Sequence, residues 1–174
     1  VQYSFTEREK AGKVMVQGKD LVYQGEKLKI NDYSFNADET KVLLMTNREK
    51  RYRRSYTAEY FLFDIETKVL QPLDEERVPQ TLASYSPDGS KVAYIHENNL
   101  YVKTLSNGKV KAITKDGEMN AIINGTTDWV YEEEFAITKA YDWSPDGEYL
   151  AFLRFDETCV KEFNMTYHYD LYPE

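Results

Sequence analysis

With 174 residues, 41% of them hydrophobic and 30% charged, the chain is large and apolar enough for one domain with a real core, which excludes a disordered tail. Thirty acidic against 22 basic residues leave a net charge of -8, which argues against nucleic acid as a partner and is compatible with a cationic ligand or with solubility alone. No apolar run is long enough to cross a bilayer as a helix, and the lone Cys159 lacks both a disulfide partner and the neighbouring His or Cys of a zinc site, so neither a metal nor a cofactor is implied.

Fifteen tyrosines and eight phenylalanines favour strands, because aromatic side chains pack well on half-buried pleated surfaces. The chain opens at Val1-Gln2-Tyr3 without a signal-like start and stops at Tyr172-Pro173-Glu174, so it reads as a piece of a longer protein. Its first thirty residues alternate apolar runs with turn signals: Val14-Met15-Val16, Gln17-Gly18-Lys19-Asp20, Leu21-Val22-Tyr23 and Gln24-Gly25. These predict strands joined by tight hairpins.

A unit then recurs three times. Tyr33-Ser34-Phe35-Asn36-Ala37-Asp38 leads to Val42-Leu43-Leu44, Tyr85-Ser86-Pro87-Asp88-Gly89 to Val92-Ala93-Tyr94, and Trp143-Ser144-Pro145-Asp146-Gly147 to Leu150-Ala151-Phe152. Pro sets the first turn position, Asp bonds the nearby backbone, and Gly tolerates positive φ before the strand. The aromatic residues Tyr33, Tyr85 and Trp143 are spaced by 52 and 58, within the range of propeller blades of four strands. Two further strands follow each of the first two turns: Tyr60-Phe61-Leu62-Phe63 with Lys68-Val69-Leu70, and Leu100-Tyr101-Val102 with Lys109-Val110-Lys111, the latter pair joined by Ser106-Asn107-Gly108. The expected fold is all-β, part of a β-propeller of about three four-stranded blades, with residues 1–174 forming a partial propeller domain.

Overlaying the copies exposes two departures. Val42 to Ile65 spans 23 positions where the matching Val92 to Leu105 spans 13, and the ten extra residues carry Arg48, Arg51, Arg53 and Arg54. Thr114 to Trp143 spans 29 where Leu73 to Tyr85 spans 12, and the 17 extra residues contain Asp128-Trp129-Val130-Tyr131-Glu132-Glu133-Glu134. One insert is basic and the other acidic; both also fit the ordinary charge of solvated loops. Three adjacent carboxylates repel one another and need solvent, a cation or a helix N-terminus to balance them. If the stretch is a short helix, Asp128 caps it, Trp129 and Tyr131 anchor its apolar side, and Glu133 and Glu134 converge on one small cation.

The heptad Asp128 to Glu134 resembles the double-glutamate motif of the dipeptidyl peptidase IV family, prolyl oligopeptidase-type serine peptidases. Asn31-Asp32-Tyr33-Ser34, Arg53-Arg54-Ser55-Tyr56-Thr57-Ala58, Asn124-Gly125 and Trp143-Ser144-Pro145 resemble the same family in the same order, from about Leu21 to the end. The resemblance implies an N-terminal propeller of about eight blades, covering a C-terminal α/β-hydrolase domain with a Ser, Asp, His triad. It also implies release of Xaa-Pro or Xaa-Ala dipeptides from free peptide N-termini, a homodimeric parent and an extracytoplasmic location. By the same resemblance Glu133 and Glu134 hold the substrate α-ammonium, and Arg53 binds the carbonyl before the scissile bond. Tyr52 and Arg54 depart from the residues that flank this arginine in mammalian relatives.

The chemistry is coherent by itself. An α-amino group with a pKa near ~8 is largely protonated at neutral pH, and two carboxylates can each accept a charge-assisted hydrogen bond from it. Such a post at a set distance from a nucleophile measures substrate length, and Arg53 offsets the repulsion between the glutamates. No Gly-x-Ser-x-Gly elbow occurs in the chain, and His96 and His168 lie in strand-like patterns, so the chain holds no catalytic residue of its own. An alternative is a catalytically inactive family member that serves as a binding or regulatory module. Asn124-Gly125-Thr126 and Asn164-Met165-Thr166 fit the glycosylation pattern, and neither is expected to be modified.

Overall fold

The computed structural model describes residues 4–6, 15–17 and 21–162; His168 and the Asn164 pattern lie outside them. Strands β1 (Ser4–Thr6) and β2 (Met15–Gln17) pair antiparallel, and β3 (Val22–Tyr23) and β4 (Glu26–Lys27) form a hairpin about Gln24-Gly25, both at positive φ. Four strands then form the first complete blade: β5 (Ile30–Phe35), β6 (Lys41–Lys50), β7 (Tyr56–Asp64) and β8 (Leu70–Pro72), in spatial order β5-β6-β7-β8. The second repeats that meander with β9 (Thr81–Tyr85), β10 (Lys91–His96), β11 (Asn99–Thr104) and β12 (Val110–Ala112). After β13 (Ile122–Asn124) comes helix α1 (Trp129–Phe135), then β14 (Tyr141–Trp143), β15 (Leu150–Phe152) and β16 (Arg154–Asp156).

The fold is all-β with one short helix, part of a β-propeller. Among the described residues two blades have four strands, and the third is represented by paired strands only, β14 with β15 and β13 with β16. These two pairs share one line. Going from Leu150 to Asp156, the partner residues run from Trp143 back to Tyr141 and then from Asn124 back to Ile122. At the junction Ala140 N donates to Gly125 O at 3.0 Å, and Leu153 exchanges backbone bonds with both residues. A single strand has been opened between Gly125 and Ala140, and residues 126–139 leave the sheet and return to it.

The middle strands of the two four-stranded blades are buried on both faces, which is why their apolar runs are continuous instead of alternating. In β6, Leu43 and Met45 join Ala58, Tyr60, Leu62, Leu73, Val92 and Tyr94 in the core between the first and second blades. Val42 and Leu44 point the other way, into a cluster with Leu21, Phe61 and Phe63. In β10, Ala93 and Ile95 turn to Leu100, Val102 and Tyr141, the core between the second and third blades. Asp74 is buried at the first of these junctions, where it accepts from the Tyr94 hydroxyl, from Arg77 Nη1 at 2.9 Å and from the Glu76 amide at 3.0 Å. Burial pushes its carboxyl up, and Tyr94 and Arg77 more than offset this, holding it below the usual carboxylate range.

The recurring turn has the expected mechanics. Ser86 Oγ accepts from the Lys91 amide at 2.9 Å and donates to Asp88, whose carboxylate also takes the Ser90 amide and hydroxyl. Ser144 and Asp146 repeat the arrangement toward Tyr149 and Glu148. The first copy is in a different register from the one that aligning Tyr33 with Tyr85 implies. The residue paired with Val42 is Phe35, as Tyr85 pairs Val92 and Trp143 pairs Leu150, so Asn36 occupies the serine position. Its Oδ1 accepts from the Lys41 amide at 2.8 Å, doing with a carboxamide what serine does with a hydroxyl. Successive turns pack closely: Gly89 has φ +70, and a Cβ there would lie 3.3 Å from Asn36 Cβ. His96 ends β10 with Nδ1 2.8 Å from Pro79 O, a structural contact. Asn124 is fully buried and donates to Asp116 at 3.0 Å, so the folded chain offers no side chain there for a glycan.

Tyr149 and Leu153 of the third blade and Val160 just after it are exposed, and among the described residues no further strand pairs with the blade's edge. Sedimentation velocity of the purified 174-residue chain should therefore show self-association, and a monodisperse monomer with a sharp cooperative melt would contradict this. Hydrogen bonds from Ser86 and Ser90 hold the Asp88 carboxyl down to about 2, from an ordinary 3.8. A depressed folded pKa stabilises above the unfolded value, so the stability difference between wild type and D88N should be complete above pH 3.8 and vanish as pH falls toward 2 in acid-unfolding curves.

Candidate functional site

Both charged inserts extend from the same end of the blades. The second blade closes its β10–β11 hairpin with the two residues Glu97 and Asn98, both at positive φ. In the first blade β6 and β7 continue past a register shift between Thr46 and Glu49, pair again at Glu49 with Thr57 and Lys50 with Tyr56, and carry residues 51–55 at their tip. Asn47 sits in the shift at φ 48. Such a bulge bends a hairpin and re-aims what lies beyond it. The extension is braced by Arg48, whose guanidinium lies 4.4 Å over the Tyr56 ring and whose amide donates to Asn31 Oδ1 at 3.0 Å. Arg51 N donates to Ser55 O at 3.0 Å, closing the tip.

The acidic insert is the loop that opens the third blade. Gly125, at φ +75, begins it against the side chains of Ile95 and Leu100, where a Cβ would meet Ile95 Cδ1 at 3.3 Å. The neck is closed by Thr126 Oγ1 donating to Thr138 O at 2.9 Å and Thr127 Oγ1 to Ile137 O at 2.7 Å. Asp128 caps α1 by accepting from the Tyr131 amide at 2.8 Å, and Ala136 ends it in the left-handed region with its N–H on Tyr131 O. The predicted short helix and its cap are both present.

What anchors the helix differs from the expectation. Trp129 is 57% exposed, so it does not hold the apolar side. Tyr131 packs edge-on against Phe155, with ring centroids 4.9 Å apart. The deepest residue of the helix is Glu132, 3% exposed, whose Oε1 accepts from the backbone N–H of Arg54 at 2.6 Å and of Ser55 at 2.8 Å. Two aligned amide dipoles solvate a buried carboxylate better than a ring covers a seven-residue helix. Burial pushes the Glu132 carboxyl up, and the Ser55 and Arg54 amides more than offset it, so it titrates below the ordinary range. Sequence reasoning left Glu132 without a partner, because that partner is backbone 77 and 78 residues away, which no motif records.

The residues singled out from sequence meet in part. Arg53 Nε lies 3.1 Å from Glu133 Oε2, with Glu133 largely shielded and Arg53 largely exposed. Glu134 follows on the next helical position, exposed, and among the described residues it has no hydrogen-bond or ion-pair partner. One carboxylate of the pair is thus neutralised by Arg53 and the next is free to accept from a cation. A cleft of about 760 Å³ runs alongside, lined by Tyr52, Ser55, His96, Trp129 and Glu132 among others; Arg53, Glu133 and Glu134 lie outside its lining. No group of three His, Cys, Asp or Glu side chains among the described residues is placed to hold a metal ion.

The family described as the dipeptidyl peptidase IV (DPP IV) N-terminal region matches residues 36–174. The chain is similar to the probable dipeptidyl-aminopeptidase B of Emericella nidulans, 38% identical over 161 residues that make up 91% of this chain and 18% of that protein. It is also similar to dipeptidyl aminopeptidase B of Saccharomyces cerevisiae, 36% identical over 167 residues, 92% of this chain and 20% of that one. Among solved structures, dipeptidyl peptidase 4 of Porphyromonas gingivalis matches with a TM-score of 0.76 at 39% identity, covering 84% of this chain and 21% of that chain. The chain spans about a fifth of the length of these relatives. With a family match across most of its length, the same all-β repeat and a structural likeness at this identity, the chain belongs to the dipeptidyl peptidase IV family, as part of its N-terminal region.

Proposed function

We propose that this chain is the substrate-anchoring part of a serine-type dipeptidyl peptidase that releases Xaa-Pro or Xaa-Ala dipeptides from free N-termini. Glu133 and Glu134 receive the substrate α-ammonium, Arg53 donates to the carbonyl that precedes the scissile bond, and a C-terminal α/β-hydrolase domain supplies the Ser-Asp-His triad. The observation that carries this reading is the contact of Arg53 with Glu133 at 3.1 Å, beside Glu134, which among the described residues has no partner, made by two loops that the repeat does not need. An ammonium group has three donors, so it can bridge Glu133 and Glu134 while Arg53 keeps one oxygen of Glu133. The post rejects acylated or longer N-termini, because the amine must reach it when the second peptide bond reaches the serine. The propeller gates access to that serine, and the parent is a homodimer in an extracytoplasmic compartment.

In the full-length protein, a Gly-Pro chromogenic substrate with a free amine should be cleaved and its N-acetylated counterpart should not. E133A and E134A should each lower kcat/KM for the free-amine substrate by about a hundredfold or more, the usual consequence of leaving one member of a shielded charge pair alone. A folded but inactive wild type would favour a binding or regulatory module instead.

A further inference from the structure

The anchoring reading uses two carboxylates of the triplet and leaves Glu132 without a part, although it is the most buried of the three. Its environment is specific. Both amide hydrogen bonds fall on one oxygen, Oε1, and come from consecutive residues at the hairpin tip, Arg54 and Ser55. Arg54 Nη1 also reaches the Glu132 carbonyl at 3.5 Å, so the same arginine clasps the helix backbone. Residues Arg51 to Arg54 are all exposed, and the tip lies beyond the bulge at Thr46 to Glu49. Arg53, the residue just before the clasp, has a side chain 68% exposed. An ion pair exposed to that degree is too weak to order a loop unaided. Two hydrogen bonds to a shielded charge are not, since breaking them strands the carboxylate away from water.

We infer that Glu132 is a positioning residue, a latch that holds the basic hairpin of the first blade against the acidic helix of the third and so sets the Arg53–Glu133 contact. Its effect on turnover rests on the anchoring reading above; its effect on the hairpin does not. Loss of the latch leaves Arg53 on a mobile tip, and the amine post loses the cation that orients Glu133 beside Glu134.

The test uses the full-length protein with E132A, E132D, R53A and the double variant E132A/R53A. Hydrogen exchange of the Arg54 and Ser55 amides should quicken at least about tenfold in E132A while the β10–β11 amides keep their protection. Unchanged exchange at the two tip amides overturns the latch. E132D, one methylene shorter, must shift the same two amides if E132A fails to fold. Per titrated active site, E132A should raise KM for the free-amine Gly-Pro substrate about tenfold, with a smaller change in kcat. In the double variant E132A should add little to R53A, because Glu132 acts through that residue. Full additivity, or a loss confined to the fraction of folded enzyme with KM unchanged, makes Glu132 merely structural and overturns the inference. If E133A and E134A leave kcat/KM untouched the anchoring reading fails, and the exchange result alone decides the latch.

Discussion

The carboxylate of Glu132, shielded from water and holding the amide hydrogens of Arg54 and Ser55, ties a hairpin of one blade to a helix that leaves another. A buried charge of this kind is tolerated only where its hydrogen-bonding capacity is met, so the contact specifies geometry as well as adding stability. The two loops it joins come from blades separated by a complete four-stranded sheet in the chain. Each is held at its base by its own devices: Arg48 over Tyr56 and the Asn31 bond for the hairpin, the two threonine bonds and Gly125 for the helical loop. Between those bases the Glu132 contact is what aligns one tip with the other.

The scaffold that permits this is a stack of sheets buried on both faces. Because the strand cores are apolar on either side, the blades tolerate additions only at strand ends or at a break in a strand, and the two inserts use one route each. Extending β6 and β7 keeps their ladder intact, and a bulge at Asn47 turns the extension. Opening the strand between Gly125 and Ala140 interrupts a ladder, and the direct bond from Ala140 to Gly125 repairs it. The backbone polar groups at the opening are thereby satisfied, as burial demands.

Charge is distributed to suit. Three consecutive glutamates repel if all face solvent, yet on a helix they face different directions: Glu132 inward to amides, Glu133 to Arg53, Glu134 outward. Two of the three charges are balanced within the protein. The third leaves a net negative spot whose natural complement is a cation, which is the property the proposed ammonium post requires.

The repeat, the all-β class, the capped helix and both inserts were legible in the residues, because each depends on local chemistry: turn-forming Ser, Pro, Asp and Gly, apolar runs of strand length, and Asp128 three positions before the amide it caps. Arg53, Glu133 and Glu134 were singled out by a resemblance, and the structure sets Arg53 beside Glu133. Three features were not legible. Asn36 stands in for the turn serine, which a pattern of residue names misplaces by two positions although the hydrogen bond is equivalent. Trp129, an aromatic that pattern reasoning places inside, is exposed. The role of Glu132 depends on backbone amides whose side chains, Arg54 and Ser55, carry no mark of it. Local turns and caps are determined by neighbours in sequence, so the sequence by itself settles them. The Glu132 contact exists only once three blades have stacked, so tertiary structure alone decides it.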